Sequence, residues 1–109
     1  MGADEGGSPY RLTFNDWLRG RLRHLLERSV LLGTRDGFAR ALADIETALR
    51  TIPTAWGDPI RHRDGMRMTE YRRVYERILV FYAVHDVHPI VWLTAAEPLR
   101  KSGFWAGEG

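Results

Sequence analysis

The chain contains no cysteine, which excludes disulfides, a thiolate nucleophile and any Cys-ligated zinc or iron–sulfur site. Lysine is almost absent as well: Lys101 stands alone against fifteen arginines. Long apolar runs are missing too. The longest, Ile78 to Val84, has seven residues, far short of the ~20 that a membrane-spanning helix needs. No charged-then-apolar leader opens the chain, so the expectation is a soluble, cytoplasmic protein with no membrane partner. What is present, 109 residues with 44% hydrophobic and 28% charged side chains, has room for one core and for no second domain. Any chemistry must therefore use Arg, His, Glu, Asp, Tyr, Ser or Thr.

The type of base is more informative than the balance, since the formal net charge is only +2. Guanidinium grips phosphate and carboxylate as a two-pronged fork, so an arginine-rich surface suits RNA, DNA or an acidic partner. A GC-rich coding sequence raises the arginine count equally well. Only clustering of the arginines carries a functional argument.

Residues 1–9 are Gly, Ser and acid without apolar periodicity and are expected to form a tail without order. A single domain is expected over residues 10–101. Residues 102–109 form a second tail, in which Phe104 and Trp105 are available to dock on the fold or on a partner. Within the domain Tyr10, Leu12 and Phe14 alternate with polar residues, which predicts a strand. Asn15 is placed to cap a helix, with Asp16 at its positive end. Leu18, Leu22, Leu25 and Leu26 then form one stripe, with Arg19, Arg21, Arg23 and Arg28 around it. Gly33 supplies a left-handed stop and Thr34 a new cap. Phe38, Leu42, Ile45, Leu49 and Ile52 follow at spacings of four and three, and Pro53 ends the run. So short a connection makes the two helices an antiparallel hairpin.

Trp56 to Pro59 is a turn-rich link, after which the pattern becomes strand-like. Ile60 to Arg63, broken by Asp64 and Gly65, leads into a charged stretch from Met66 to Arg77. Ile78 to Asp86 and Ile90 to Ala96 are apolar on both faces, as strands covered on both sides are, and the short link of Val87, His88 and Pro89 makes them a hairpin. The expected fold class is α+β in the order β-α-α-β-β-β, with the helical hairpin packed on one face of a mainly antiparallel sheet.

Several pieces of this order resemble the RelE/ParE superfamily of bacterial toxin–antitoxin systems. YRLTFND with its Leu-rich helix is similar to the family's first strand and helix. LRTIPTAWGDPIR is similar to its helix end and turn, and YRRVYERILVFYAVHD with PIVWLTAA to its paired central strands. The resemblance spans about Tyr10 to Ala96. It implies a toxin-type protein that either cleaves messenger RNA on the ribosome or poisons DNA gyrase by binding, and that a cognate antitoxin neutralises. A homodimer is also compatible with it. The cleaving members let the ribose 2′-hydroxyl attack the neighbouring phosphate, which needs a base, cations on the phosphate and an acid for the leaving oxygen. No cofactor and no metal are implied.

Carried over by position, Arg61, His62 and Arg63 match basic residues on the strand after the helical hairpin, and Arg72 and Arg73 lie near a central-strand arginine. The family's Gly-His-Arg-like turn with a following Tyr is replaced here by Ala96, Glu97 and Pro98, then Leu99, Arg100 and Lys101. The candidate catalytic residues are therefore His62 or Glu70 as proton acceptor, Arg73, and His85 as acid. The candidate RNA-binding residues are Arg61, Arg63, Arg67, Arg72, Arg77, Arg100 and Lys101. The alternative is a non-catalytic binding module of the same fold, or a toxin fold without nuclease activity.

Each signal has a plainer reading beside it. The stretch Arg61 to Arg77 holds seven residues that can carry positive charge. It is either a phosphate cradle or a solvated edge paired with Asp64, Glu70 and Glu76 at up to ~1 kcal/mol each. His85, Asp86 and His88 have ligand chemistry but no further ligand at a recognised spacing. Tyr71, Tyr75 and Tyr82 can stack on bases or pack the sheet. Trp17, Trp56 and Trp92 read most simply as core or core edge. The apolar surplus on the last two strands calls for a cover, either a partner or the chain's own tail.

Overall fold

A computed structural model describes residues 9–99. Of the tails expected at residues 1–9 and 102–109, all but Pro9 lies outside the described residues, and so do Arg100 and Lys101 at the end of the expected domain. The chain runs β1 (Arg11–Thr13), α1 (Asp16–Leu31), α2 (Arg35–Thr51), α3 (Pro53–Trp56), β2 (Asp58–Arg63), β3 (Met68–Tyr75), β4 (Ile78–His85) and β5 (Ile90–Pro98). No helix among the described residues is long and apolar enough to cross a membrane.

The helices form where local chemistry directs them. Asn15 Oδ1 accepts the Leu18 amide at 2.8 Å, satisfying one of the first-turn donors that a helix leaves orphaned. Asp16 in the first turn and Arg28 in the last complement the helix dipole. Gly33 takes the left-handed conformation at φ +73°, a region open to glycine without penalty, and Thr34 occupies the start of α2. Along α2 the buried residues are Phe38, Ala41, Ile45, Ala48 and Leu49. Ile52, expected on that stripe, is 50% exposed. It caps the helix at φ −137°, so its side chain leaves the helical screw and the core with it. Pro53 does more than end α2: it opens the single turn α3, where a missing amide hydrogen costs nothing.

Four strands follow the helices rather than the expected three. A 3-10 turn at Asp64–Met66, closed by Arg67 at φ +52°, folds the charged stretch into a hairpin of its own, β2 against β3. The sheet order is β1-β5-β4-β3-β2. All neighbours are antiparallel except β1, which lies parallel to β5 with Leu12 opposite Val91. The α+β class and the antiparallel character of the sheet are as expected.

All three helices pack on one face. Leu18, Leu25, Phe38, Ile45 and Leu49 meet Ile78, Val80, Tyr82 and Val84 of β4 and Val91, Leu93 and Ala96 of β5. Two-residue alternation sends Leu79 and Phe81 to the other face, where they are only half-buried. A bulge keeps β5 in step: Phe81 lies opposite Ala95 and Tyr82 opposite Leu93. Thr94 is thus the extra residue, and Leu93 and Ala96 both reach the core. Arg21 on α1 donates to Glu97 on β5 at 3.0 and 2.8 Å, tying the first helix to the end of the last strand. Tyr75 on β3 donates to Asp44 on α2 at 2.8 Å.

Candidate functional site

Strand geometry divides the basic stretch before any tertiary contact is considered. Successive side chains on β2 point to opposite faces, so Arg61 and Arg63 share the helix-free face and His62 takes the other. On β3 the partners set by register are Glu70 beside Arg61, and Met68 beside Arg63. Arg72 falls on the same face as Glu70, opposite Phe81.

Glu70 is held between two arginines. Arg61 Nε donates to Oε1 at 3.0 Å and Arg63 Nε to Oε2 at 2.5 Å. Hydrogen bonding, first from Arg63, holds the Glu70 carboxyl below its usual range. Arg72 is exposed and forms no ion pair among the described residues. On the helix-free face β2 and β3 therefore set three guanidiniums against two carboxylates, Glu70 between Arg61 and Arg63 and Asp58 opposite Arg72. Its floor is apolar. A cavity of about 290 Å³ joins Arg61 and Glu70 to Phe81, Thr94 and Ala95, and one of about 460 Å³ joins Arg63 and Glu70 to Met66, Met68, Ala83 and Trp92.

His62 is on the side of the helices, at the edge of the sheet. Its Nδ1 lies 2.8 Å from Asp64 Oδ1 and its Nε2 2.8 Å from Asp86 Oδ2, while Thr69 Oγ1 donates to Asp86 Oδ1 at 3.2 Å. With a carboxylate at each nitrogen both must donate, which is the imidazolium form. The hydrogen bond to Asp86 is the main cause of the raised His62 pKa and, in return, of the lowered Asp86 pKa. Of the two alternative proton acceptors, Glu70 stands with Arg61 and Arg63, and His62 stands on the other face with two aspartates.

His85 has a local task. Its Nδ1 accepts the amides of Val87 and His88 at 3.0 Å each, which leaves its proton on Nε2 and fixes the turn before β5. The His85 and His88 rings lie 4.8 Å apart between centroids, and among the described residues there is no group of three or more His, Cys, Asp or Glu that could hold a metal ion. Arg73, a catalytic candidate from sequence, also faces the helices. It donates to the Trp56 carbonyl at 2.6 Å and lies 5.0 Å from the Trp56 ring centroid, clamping α3 onto β3. Arg67 and Arg77 are exposed in left-handed turns at the two ends of β3, roughly 30 Å apart along an extended strand. The tyrosines are packing residues: Tyr71 and Tyr82 stack with centroids 5.2 Å apart and planes within 7°, and Tyr82 donates to the Pro53 carbonyl at 2.6 Å.

The contribution of Trp92 to the helix-free face, beside Phe81, was missed by the sequence reading, which took Trp92 as core or core edge. Alternation about the buried Val80 and Val91 is the signal that places them there. No protein-family model matches the chain, nor does any curated protein or solved structure.

Proposed function

We propose that the chain is a RelE/ParE-like toxin-type protein that binds single-stranded RNA on the helix-free face of its sheet. One observation carries this reading: Arg61, Arg63 and Arg72 outnumber Glu70 and Asp58 on a surface floored by Phe81 and Trp92. Single-stranded RNA offers what that surface lacks, phosphates for the guanidiniums and bases for the rings, each stacked base contributing ~1–3 kcal/mol. The helical hairpin between the first strand and the antiparallel strands is compatible with the resemblance. In this reading mRNA is the ligand and a cognate antitoxin covers the same face.

Binding is better supported than cleavage. Glu70 is the one candidate proton acceptor on the face, and with its pKa lowered by two arginines it is a weak base. For cleavage, an incoming phosphate would have to draw Arg61 and Arg63 away from Glu70. The freed carboxylate would then take the 2′-hydroxyl proton as the oxygen attacks phosphorus and the bond from phosphorus to the 5′ oxygen breaks, giving a 2′,3′-cyclic phosphate, while the leaving oxygen takes a proton from water to become a 5′-hydroxyl. The position of His62 on the opposite face favours a second reading, a non-catalytic module that recognises DNA gyrase or only its antitoxin.

The test is a titration of labelled single-stranded RNA at several salt concentrations, with the product ends analysed in parallel. Three phosphate contacts predict a log–log salt slope of about −2, and Arg72→Ala should reduce it by about 0.7. Absence of binding at low salt, or an unchanged slope in Arg72→Ala, would sink the RNA reading and leave the protein-binding one.

A further inference from the structure

A second site lies at the other side of the sheet, where the end of β4 meets the starts of β1 and β3 and the α3 turn. A cavity of about 390 Å³ is lined there by Tyr10, Thr54, Thr69, Tyr71, Val84 and Asp86, among others. Tyr71 is the residue that marks it. The residue is 8% exposed, its ring is stacked on Tyr82, and its hydroxyl has no hydrogen-bond partner among the described residues. Burial, then the charges of Asp86 and Tyr10, raise its pKa, and all three residues line the cavity. In the cavity the Tyr71 hydroxyl is open to a hydrogen bond from water or from a ligand.

The lining points to the kind of group. Tyr10, Thr54, Thr69, Tyr71 and Asp86 bring oxygen-bearing side chains to the cavity, His85 and His88 bring imidazoles, and no lysine or arginine lines it. In a chain this rich in arginine the contrast is informative: the helix–sheet cavity holds Arg19 and Arg50, and the two on the open face hold Arg61 and Arg63. Behind the wall, protonated His62 stands between Asp64 and Asp86, leaving one net negative charge on the trio. An anion is repelled by Asp86, whereas a group with several N–H donors and a positive charge satisfies Tyr71 and the carboxylate together. The phenol rings add attraction for a cation.

We propose that this cavity binds a side-chain-sized organic cation, an alkylguanidinium or alkylammonium group, with Tyr71 and Asp86 as its principal acceptors. The source is either a basic side chain of a protein partner or a free polyamine. The site is separate from the RNA-binding face and does not depend on that reading.

The test is an NMR titration of the isotope-labelled full chain with agmatine, N-acetyl-arginine methylamide, spermidine and, as an anionic control, methyl phosphate. The cations should shift the Thr69, Tyr71 and Val87 resonances saturably, and methyl phosphate should not. Asp86→Asn and Tyr71→Phe should each weaken the agmatine response about tenfold, as loss of a charge-assisted hydrogen bond does. Tighter binding of N-acetyl-arginine methylamide than of spermidine assigns the cation to a protein side chain, and the reverse order assigns it to a polyamine. Three results would overturn the proposal: no saturable shift with any cation, the same shifts with methyl phosphate, or an unchanged response in both folded variants. The methyl phosphate comparison on the unaltered chain stands even where a variant does not fold.

Discussion

His62 Nε2 stands 2.8 Å from Asp86 Oδ2, a contact between residues 24 positions apart that fastens the edge strand β2 to the end of β4 across β3. Thr69, on the strand between them, donates to the same carboxylate. The edge strand is held at this end by charge rather than by burial.

That clamp makes stability depend on pH in two limbs. His62 has a folded pKa above its reference of 6.5, so its contribution is complete below about pH 6.5 and is lost as pH rises through the raised value. Asp86 is depressed below 3.8, so its contribution is complete above about pH 3.8 and is lost as pH falls through the lowered value. Urea midpoints measured across pH should decline on both sides of this window. In His62→Ala the alkaline decline should flatten, and an unchanged alkaline limb would refute the clamp. A direct NMR titration of the His62 ring should give a midpoint above 6.5.

Glu70→Gln removes the carboxylate that pairs with both Arg61 and Arg63. Affinity for single-stranded RNA should rise severalfold with the salt slope kept, because the phosphates no longer compete with Glu70 for Arg61 and Arg63. If Glu70 is also the base, the same variant binds more tightly and forms no cyclic phosphate. Weaker binding would contradict the arrangement described.

Arg72 and Arg73 are neighbours with opposite assignments, and alanine variants should separate them. Arg73→Ala should lower stability by ~1–2 kcal/mol, through loss of the Trp56 carbonyl bond and the ring contact, with RNA affinity retained. Arg72→Ala should leave stability within ~0.5 kcal/mol and weaken RNA binding. Anisotropy and urea unfolding on the same samples decide, and a reversed pattern would mean that the faces have been misassigned.

The core of α2 gives a contrast between its two ends. Phe38 is fully buried and Ile52 half exposed. Phe38→Ala should cost ~3–5 kcal/mol, and Ile52→Ala no more than ~0.5 kcal/mol, both read from denaturant midpoints. A large loss in Ile52→Ala would indicate that its exposed side is covered by another molecule.

The helical half of the fold was legible from the sequence because its determinants are local. Spacings of three and four, a cap at Asn15 and a left-handed glycine at Gly33 act within a few residues, and the structure follows them until Ile52 steps off the helix. The two-residue period likewise separates Arg61 and Arg63 from His62 without any tertiary information. Pairing was beyond local signals. Glu70 meets both arginines only because the Asp64–Met66 turn sets one register between β2 and β3, and His62 finds Asp86 only because a third strand lies between them. The Thr94 bulge and the parallel seat of β1 beside β5 belong to the same class. Register is chosen by the hydrogen bonds and burial of the whole sheet, a sum over distant residues that no short window contains. Which side chains are charged, and which alternate, was written in the chain; which charges cancel was decided by the fold.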